Sequence, residues 1–280
     1  MHINIPDHVL YRKGAQKVKD IPDEVQQLLQ TGQLQTVNLT EWLAVDHTLL
    51  LRHVIVELDL KHHTDVILSE LELLLDKKMM KIIPAIAKGW LHLLNLSPSE
   101  ERSRVFDSLA NHCSDSVRCW AAYIIGLDDQ LSLSQKLTAI RPFAADLHFG
   151  VREIAWMAVR EPVAKELTQA LHLFENWVCD DDANIRRFAI ECTRPQGVWA
   201  KHIQELKDNP ALAFPLLDQV KSDHTKYVQD SVGNWLNDAS KTKPEWVLKT
   251  CNTWLEQSGT KDTKRIVARA QRTIIKKSIK

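Results

Sequence analysis

A six-residue pattern returns along this chain at intervals of 34 to 43 residues, and that interval restricts the fold more than any other feature of the sequence. Ser116-Val117-Arg118-Cys119-Trp120-Ala121, Gly150-Val151-Arg152-Glu153-Ile154-Ala155 and Asn184-Ile185-Arg186-Arg187-Phe188-Ala189 follow one another at a spacing of 34. A fourth copy, Tyr227-Val228-Gln229-Asp230-Ser231-Val232, comes 43 residues later, and a weaker fifth, Arg265-Ile266-Val267-Ala268-Arg269-Ala270, 38 after that. Such a period belongs to stacked helix pairs.

Every copy sets a β-branched residue four positions before Ala or Val: Val117/Ala121, Val151/Ala155, Ile185/Ala189, Val228/Val232 and Ile266/Ala270. This spacing puts both on one helical face, where the small residue admits a neighbouring helix. Polar or turn-forming residues precede the copies (Ser114-Asp115, His148-Phe149-Gly150, Asp180 to Asn184, Ser222-Asp223), as befits the short loop and N-cap before the second helix of a pair. Ser97-Pro98-Ser99-Glu100 is expected to form a capping box with proline at the first helical position.

Glycine and proline together number 18 of 280 residues, about half the usual share, and no Gly-x-Gly occurs. Dinucleotide fingerprints, P-loops, propellers and turn-rich sandwiches are thereby excluded. Before residue 100 the repeat decays, although 67–75 and 82–96 keep apolar residues at helical spacing. The expected fold is all-α, a right-handed solenoid of HEAT-like helix pairs with a concave groove. Residues 1–20 read as an irregular N-terminal arm and 21–280 as one solenoid domain, with 21–60 a capping helical layer.

The 36 basic and 36 acidic residues balance, yet residues 261–280 carry eight basic side chains, Lys276, Lys277 and Lys280 among them, against Asp262 alone. That segment is locally +7, and the first 260 residues total −7. Five cysteines without a Cys-x-x-Cys pair point to reduced thiols in a cytoplasmic protein. No apolar leader and no 18-residue apolar run are present, so neither secretion nor a membrane partner is expected. A monomer is expected.

In a helix-pair solenoid the second helices line the concave wall, so equivalent positions of successive repeats form stripes across it. The position after the β-branched residue reads Arg118, Arg152, Arg186, Gln229, Val267, and the next reads Cys119, Glu153, Arg187, Asp230, Ala268. Basic side chains recurring every 34 residues match the phosphates of a nucleic acid, and Arg194, Arg269, Arg272 and Lys276 extend the array. Such arginines can instead pair with an aspartate in the next turn, with Asp115 or Asp182 as partner, and hold the stack together. Nine tryptophans against three tyrosines put several rings on the same helices, including Trp120, Trp156 and Trp235. At least five of the nine are expected in the core. Trp156 lies three residues after Glu153, which sets ring and carboxylate on adjacent surface positions, and Trp235 lies five after Asp230. An acid beside an aromatic in a basic groove suits hydrolysis of a bond next to a cation.

Gln33 to Asp46, Ile185 to Trp199, Tyr227 to Trp246 and Ile266 to Lys277 together resemble the HEAT-like-repeat DNA alkylation repair family, the AlkC and AlkD type DNA glycosylases, and the AlkC type more closely. The resemblance runs from about residue 30 to the C-terminus. It implies an all-helical solenoid that holds duplex DNA in a basic groove and releases cationic N3- or N7-alkylated bases, without flipping the base into a pocket. It also implies a carboxylate and tryptophan beside the lesion. Arg141-Pro142 and Val151 to Trp156 fall at the family's acidic site segment, with Glu153 matching its glutamate and Ile154 where an aromatic often follows.

The expected activity is therefore that of a 3-methyladenine-type DNA glycosylase, with Glu153, Trp156 and Asp230 catalytic. Arg118, Arg152, Arg186, Arg187, Arg194, Trp235, Arg269, Arg272 and Lys276 are the expected DNA contacts. An alkylated purine is already cationic and leaves without a general acid, so the protein's task is to stabilise the developing oxocarbenium ion and orient water. No metal or cofactor is called for: scattered His and Cys, His62-His63 included, lack zinc spacing, and no activated nucleophile is evident. The alternatives are a non-catalytic DNA-binding protein on the same scaffold and a protein-interaction HEAT-repeat protein.

Overall fold

The structure, a computed structural model, describes residues 5–76, 78–197 and 199–278. Among these the chain is all-helical, with α-helices joined by short turns and no strand. The all-α class of helix pairs expected from the repeat is what the molecule adopts. Contacts divide it into two compact units, Met1–Gln130 with Asp146–Ala158, and Leu131–Ala145 with Val159–Lys280. No helix among the described residues is long and apolar enough to cross a membrane.

In the first unit the N-terminal residues form the short helix Asp7–Leu10 and a 3-10 turn at Val18–Asp20, followed by helices Asp23–Gln30, Leu39–Ala44 and His47–Glu57. Residues 1–4 of the expected arm lie outside the described residues. The arm is fastened by Arg12, whose Nε and Nη2 donate to the two Glu41 carboxylate oxygens at 2.9 and 2.7 Å in a buried fork. Asn38 and Asp46 start their helices by accepting backbone N–H bonds from Glu41 and from Thr48 and Leu49.

Helix Thr64–Glu72 packs on Met79–Leu96, which packs in turn on Asp115–Leu127. The row continues to helix Phe149–Lys165, where a Cβ on Gly126 would stand only 2.1 Å from the Ala158 carbonyl oxygen. Backbone meets backbone there. Asp115, buried, accepts from Thr36 N at 2.8 Å and Thr36 Oγ1 at 3.1 Å, while His148 Nε2 donates to the Thr36 carbonyl at 2.8 Å. Burial pushes the Asp115 pKa up, against the opposing pull of His148, Thr36 and Arg118.

In the second unit helices Ala183–Cys192, Lys226–Ala239 and Lys261–Ala270 pack successively, and Leu167–Trp177 and Pro244–Gln257 form the other layer. The repeat's marker residues sit where the period put them: Val117, Ala121, Val151, Ala155, Ile185, Ala189, Val228, Val232, Ile266 and Ala270 are all buried. Seven of the nine tryptophans are in the core.

One helix start differs from expectation. Helix Ser99–Ala110 begins after Pro98 with no side-chain cap, because Ser97 Oγ donates back to the Leu93 carbonyl at 3.0 Å and ends the preceding helix instead. A capping box does form at Ser132 and Gln135, ahead of helix Leu133–Ala144.

Candidate nucleic-acid and catalytic site

The stripe that follows the β-branched residue is a ladder built by one repeated geometry. Arg118 Nη1 donates to the carbonyls of His112 and Cys113 at 2.8 and 2.9 Å, and Arg152 Nη1 to those of Asp146 and Leu147 at 2.7 and 2.9 Å. Arg186 Nη1 reaches the carbonyls of Asp180 and Asp181 at 2.8 and 3.0 Å, and Gln229 Nε2 that of Asp223 at 2.7 Å. Each arginine satisfies the carbonyls five and six residues upstream, and Gln229 the one six upstream.

The remaining donors reach one repeat ahead. Arg118 forks onto Asp146 at 2.8 and 3.2 Å, Arg186 forks onto Asp223 at 2.6 and 3.1 Å, and Gln229 donates to Asp262 at 2.8 Å. The partners are therefore neither Asp115, which holds Thr36, nor Asp182, which caps its own helix by accepting from Asn184 N. Arg118 and Arg186, expected to face DNA, have their guanidinium groups bound inside the protein, each linking its helix to the next repeat. Hydrogen bonding to Asp223, joined by nearby Asp180 and Asp182, raises the Arg186 pKa despite burial.

The next stripe holds the expected catalytic acids, Glu153 and Asp230. Glu153 is half-buried on helix Phe149–Lys165, and its Oε2 accepts from the Trp156 indole N–H at 2.8 Å. The i, i+3 spacing brings ring and carboxylate together as the sequence implied, though the Trp156 ring lies in the core. The indole fixes the carboxylate's orientation. Two cavities of about 450 and 770 Å³ are lined respectively by residues around Trp42 and His47 and by residues around Glu57 and His112; neither is lined by Glu153.

In the second unit, Arg187 is buried, with its guanidinium 4.2 Å from the Tyr227 ring centre and 3.8 Å from Glu191. Glu191 also accepts from Ser231 at 2.6 Å and from Arg194 at 3.0 Å. Burial pushes the Glu191 pKa up, but Arg187, Arg194 and Ser231 outweigh it and hold the carboxyl below its usual range. Arg194 completes its bonding on Asp238 at 2.9 and 2.7 Å.

Two expected DNA contacts have their polar groups bonded within the protein. Arg194 is enclosed between two carboxylates, and Trp235 is fully buried with its indole N–H on the Thr193 carbonyl at 3.0 Å.

Asp230 pairs with Arg265 at 2.7 Å and Arg269 at 3.2 Å. Arg272 and Lys276 are exposed on the last helix; Lys280 and the Lys277 side chain lie outside the described residues. Among the described residues no His, Cys, Asp and Glu group is arranged to hold a metal ion. None of the five cysteines is in a disulfide.

Sequence reasoning missed Glu191 and Asp238, the internal partners of Arg194, and Arg160, which donates to the carbonyls of Cys192, Arg194 and Lys201 at 2.8, 2.6 and 3.0 Å. The i+4 and i+3 spacings of Arg187–Glu191–Arg194 carried a signal for the first. Nothing in the sequence marks Arg160, which binds these backbone carbonyls.

Residues 144–278 match the family described as DNA alkylation repair enzyme. The alkylpurine DNA glycosylase AlkC of Pseudomonas fluorescens, solved bound to DNA containing an abasic site analog, superposes with a TM-score of 0.64 at 22% identity, over 80% of this chain and 62% of that one. AlkD2 of Streptococcus mutans superposes with a TM-score of 0.57 at 23% identity, over 74% of this chain and 96% of its own. At such identities the likeness is one of fold. The Bacillus subtilis protein YhaZ is 38% identical over 104 residues, 37% of this chain and 29% of its own length. The chain thus spans less than two thirds of both YhaZ and AlkC.

Proposed function

We propose, from the match of residues 144–278 to the DNA alkylation repair enzyme family, that this chain is a monofunctional DNA glycosylase that hydrolyses the N-glycosidic bond of cationic, 3-methyladenine-type alkylated bases in duplex DNA. The observation that carries the proposal is the Glu153–Trp156 pair, a half-buried carboxylate held at 2.8 Å by an indole N–H on a helix inside the matched region. A fixed carboxylate stabilises an oxocarbenium ion at no reorganisation cost when the bond breaks. It also aligns the water that attacks the anomeric carbon.

No general acid is required, because the alkylated purine departs as a neutral base from a cationic nucleotide. Asp230 is the second acid of the proposal, with its charge shared between Arg265 and Arg269. Phosphate contacts come from Arg269, Arg272 and Lys276 rather than from the ladder arginines. AlkC, a neighbour in fold solved bound to DNA, supports a DNA partner.

The experiment is release of free bases from duplexes that carry methylated purines or uracil. Methylpurine release with uracil left in place is expected, since uracil is a neutral leaving group. Comparable release of uracil would sink the mechanism.

A further inference from the structure

Helix Lys226–Ala239 turns one face towards the C-terminal segment, and five residues on it form a register. Gln229 Oε1 accepts from Arg265 Nη1 at 3.1 Å, and Asp230 Oδ1 takes Arg265 Nη2 and Arg269 Nη1 at 2.7 and 3.2 Å. Asn234 Oδ1 accepts from Arg269 Nε and from Arg272 Nη1, both at 2.9 Å. Asn237 Oδ1 then accepts from Thr273 N and Oγ1 at 3.2 and 2.9 Å, which fastens the start of the last helix. Between them, Gly233 lies under the Arg269 stem: a Cβ there would stand 2.8 to 3.0 Å from Arg269 Cβ, Cγ and Cδ. Glycine costs about 1 kcal/mol against alanine inside a helix. Here its bare surface lets Arg269 lie across the helix.

The charges on this face do not cancel. Three guanidinium groups meet one carboxylate, and the two on Asn234 share a neutral oxygen. Arg272 is exposed and has that single hydrogen bond among the described residues, so most of its five donors have no protein acceptor. Partial burial and then the adjacent Arg269 push the Arg272 pKa down, against the opposing pull of Asp238 and Asp230. Two guanidinium forks converging on one neutral acceptor repel each other until an anion joins them. A phosphate oxygen pair has the geometry to do so.

We propose that Arg269 and Arg272, gathered on the amide oxygen of Asn234, form a clamp for one backbone phosphate of DNA, with Asn234 and Gly233 as its positioning residues. The clamp rests on the DNA-binding reading above. Neither positioning residue is basic or acidic.

Duplex binding by fluorescence anisotropy across a salt series tests it, using wild type, Asn234→Asp, Arg272→Gln and the double variant, each checked for an unchanged melting temperature. Asn234→Asp keeps both hydrogen bonds but neutralises the pair. Each single change should flatten the log-log salt slope by about 0.9 and weaken binding about eight-fold at roughly 0.1 M salt. The double variant should lose no more, because one phosphate is lost once. A wild-type slope in folded Asn234→Asp, or a doubled loss in the double variant, overturns the clamp while leaving DNA binding intact. In a second arm, inorganic phosphate is titrated while the arginine Nε–H signals are followed by NMR. Movement of Arg269 and Arg272 in wild type and not in Asn234→Asp supports the clamp even if duplex DNA fails to bind, and that failure then falls on the DNA reading alone. No movement in wild type overturns the clamp.

Discussion

Replacing Arg186 by alanine removes a guanidinium in which all three nitrogens are engaged. It leaves the carbonyls of Asp180 and Asp181 without their donor, and Asp223 keeps only the Thr225 N–H. The side chains of Arg186 and Asp223 are 8% and 5% exposed, so solvent cannot replace the lost bonds. Breaking a buried ion pair from one side costs about 3–5 kcal/mol. With an unfolding entropy of about 2.1 cal/mol/K per residue, that is a loss of about 5–8 °C if the chain melts as one body, and about twice that if the second unit melts alone. Arg186→Lys should fall between, since an ammonium keeps the charge but not the fork. Differential scanning calorimetry gives the melting shift, and duplex titration below the melting range gives the salt slope. The slope should stay at its wild-type value, because this arginine faces Asp223 and not phosphate. A melting point within about a degree of wild type, together with a flattened slope, would refute the ladder assignment.

Two further perturbations follow from buried groups. His47 is buried and its pKa is lowered to about 4, chiefly by burial, against the opposing charge of Asp46. Between pH of about 4 and 6.5 the unfolded chain binds a proton there that the folded chain does not, so stability is full above the upper value and falls as pH drops towards the lower, by about 3 kcal/mol in all. His47→Gln should flatten the urea-midpoint profile across that window, and an identical profile in both proteins would contradict it. Gly126→Ala gains about 1 kcal/mol of helix propensity but drives a methyl to 2.1 Å from the Ala158 carbonyl oxygen. A net loss of about 1–3 kcal/mol is expected from chemical denaturation, and an unchanged or raised midpoint would mean the helices separate there at no cost.

Much of the fold was legible because a second helix in each pair must show its neighbour a β-branched residue and a small one, a demand that survives divergence in everything else. Val117, Val151, Ile185, Val228 and Ile266 are buried for that reason. Which aspartate receives each ladder arginine was not legible. The partner of Arg118 lies 28 residues ahead and that of Arg186 lies 37 ahead, a difference set by loop lengths that periodicity does not measure. Glu153 and Trp156 were legible as neighbours, being three apart on a helix. Trp235 was misread from its proximity to Asp230. Five residues is about 140° around a helix, so the ring turns into the core, and Asn234, four residues on, takes the place beside Asp230. Before residue 100 the stacking rests on particular shapes and pairs, such as Trp42 edge-on to Phe149 at 5.9 Å and Arg12 on Glu41, which leave no period to find.

The most direct measurement compares wild type and Glu153→Gln for release of free base from methylated duplex DNA. Glutamine keeps an oxygen for the Trp156 indole N–H and removes the charge. Wild type should release methylpurines, and the variant should do so about 10² more slowly, the scale for losing one electrostatic stabiliser, with duplex affinity held or raised as an anion leaves the DNA-binding face. Equal rates in the two proteins, or no release by wild type, would contradict the assignment of Glu153 as the catalytic carboxylate.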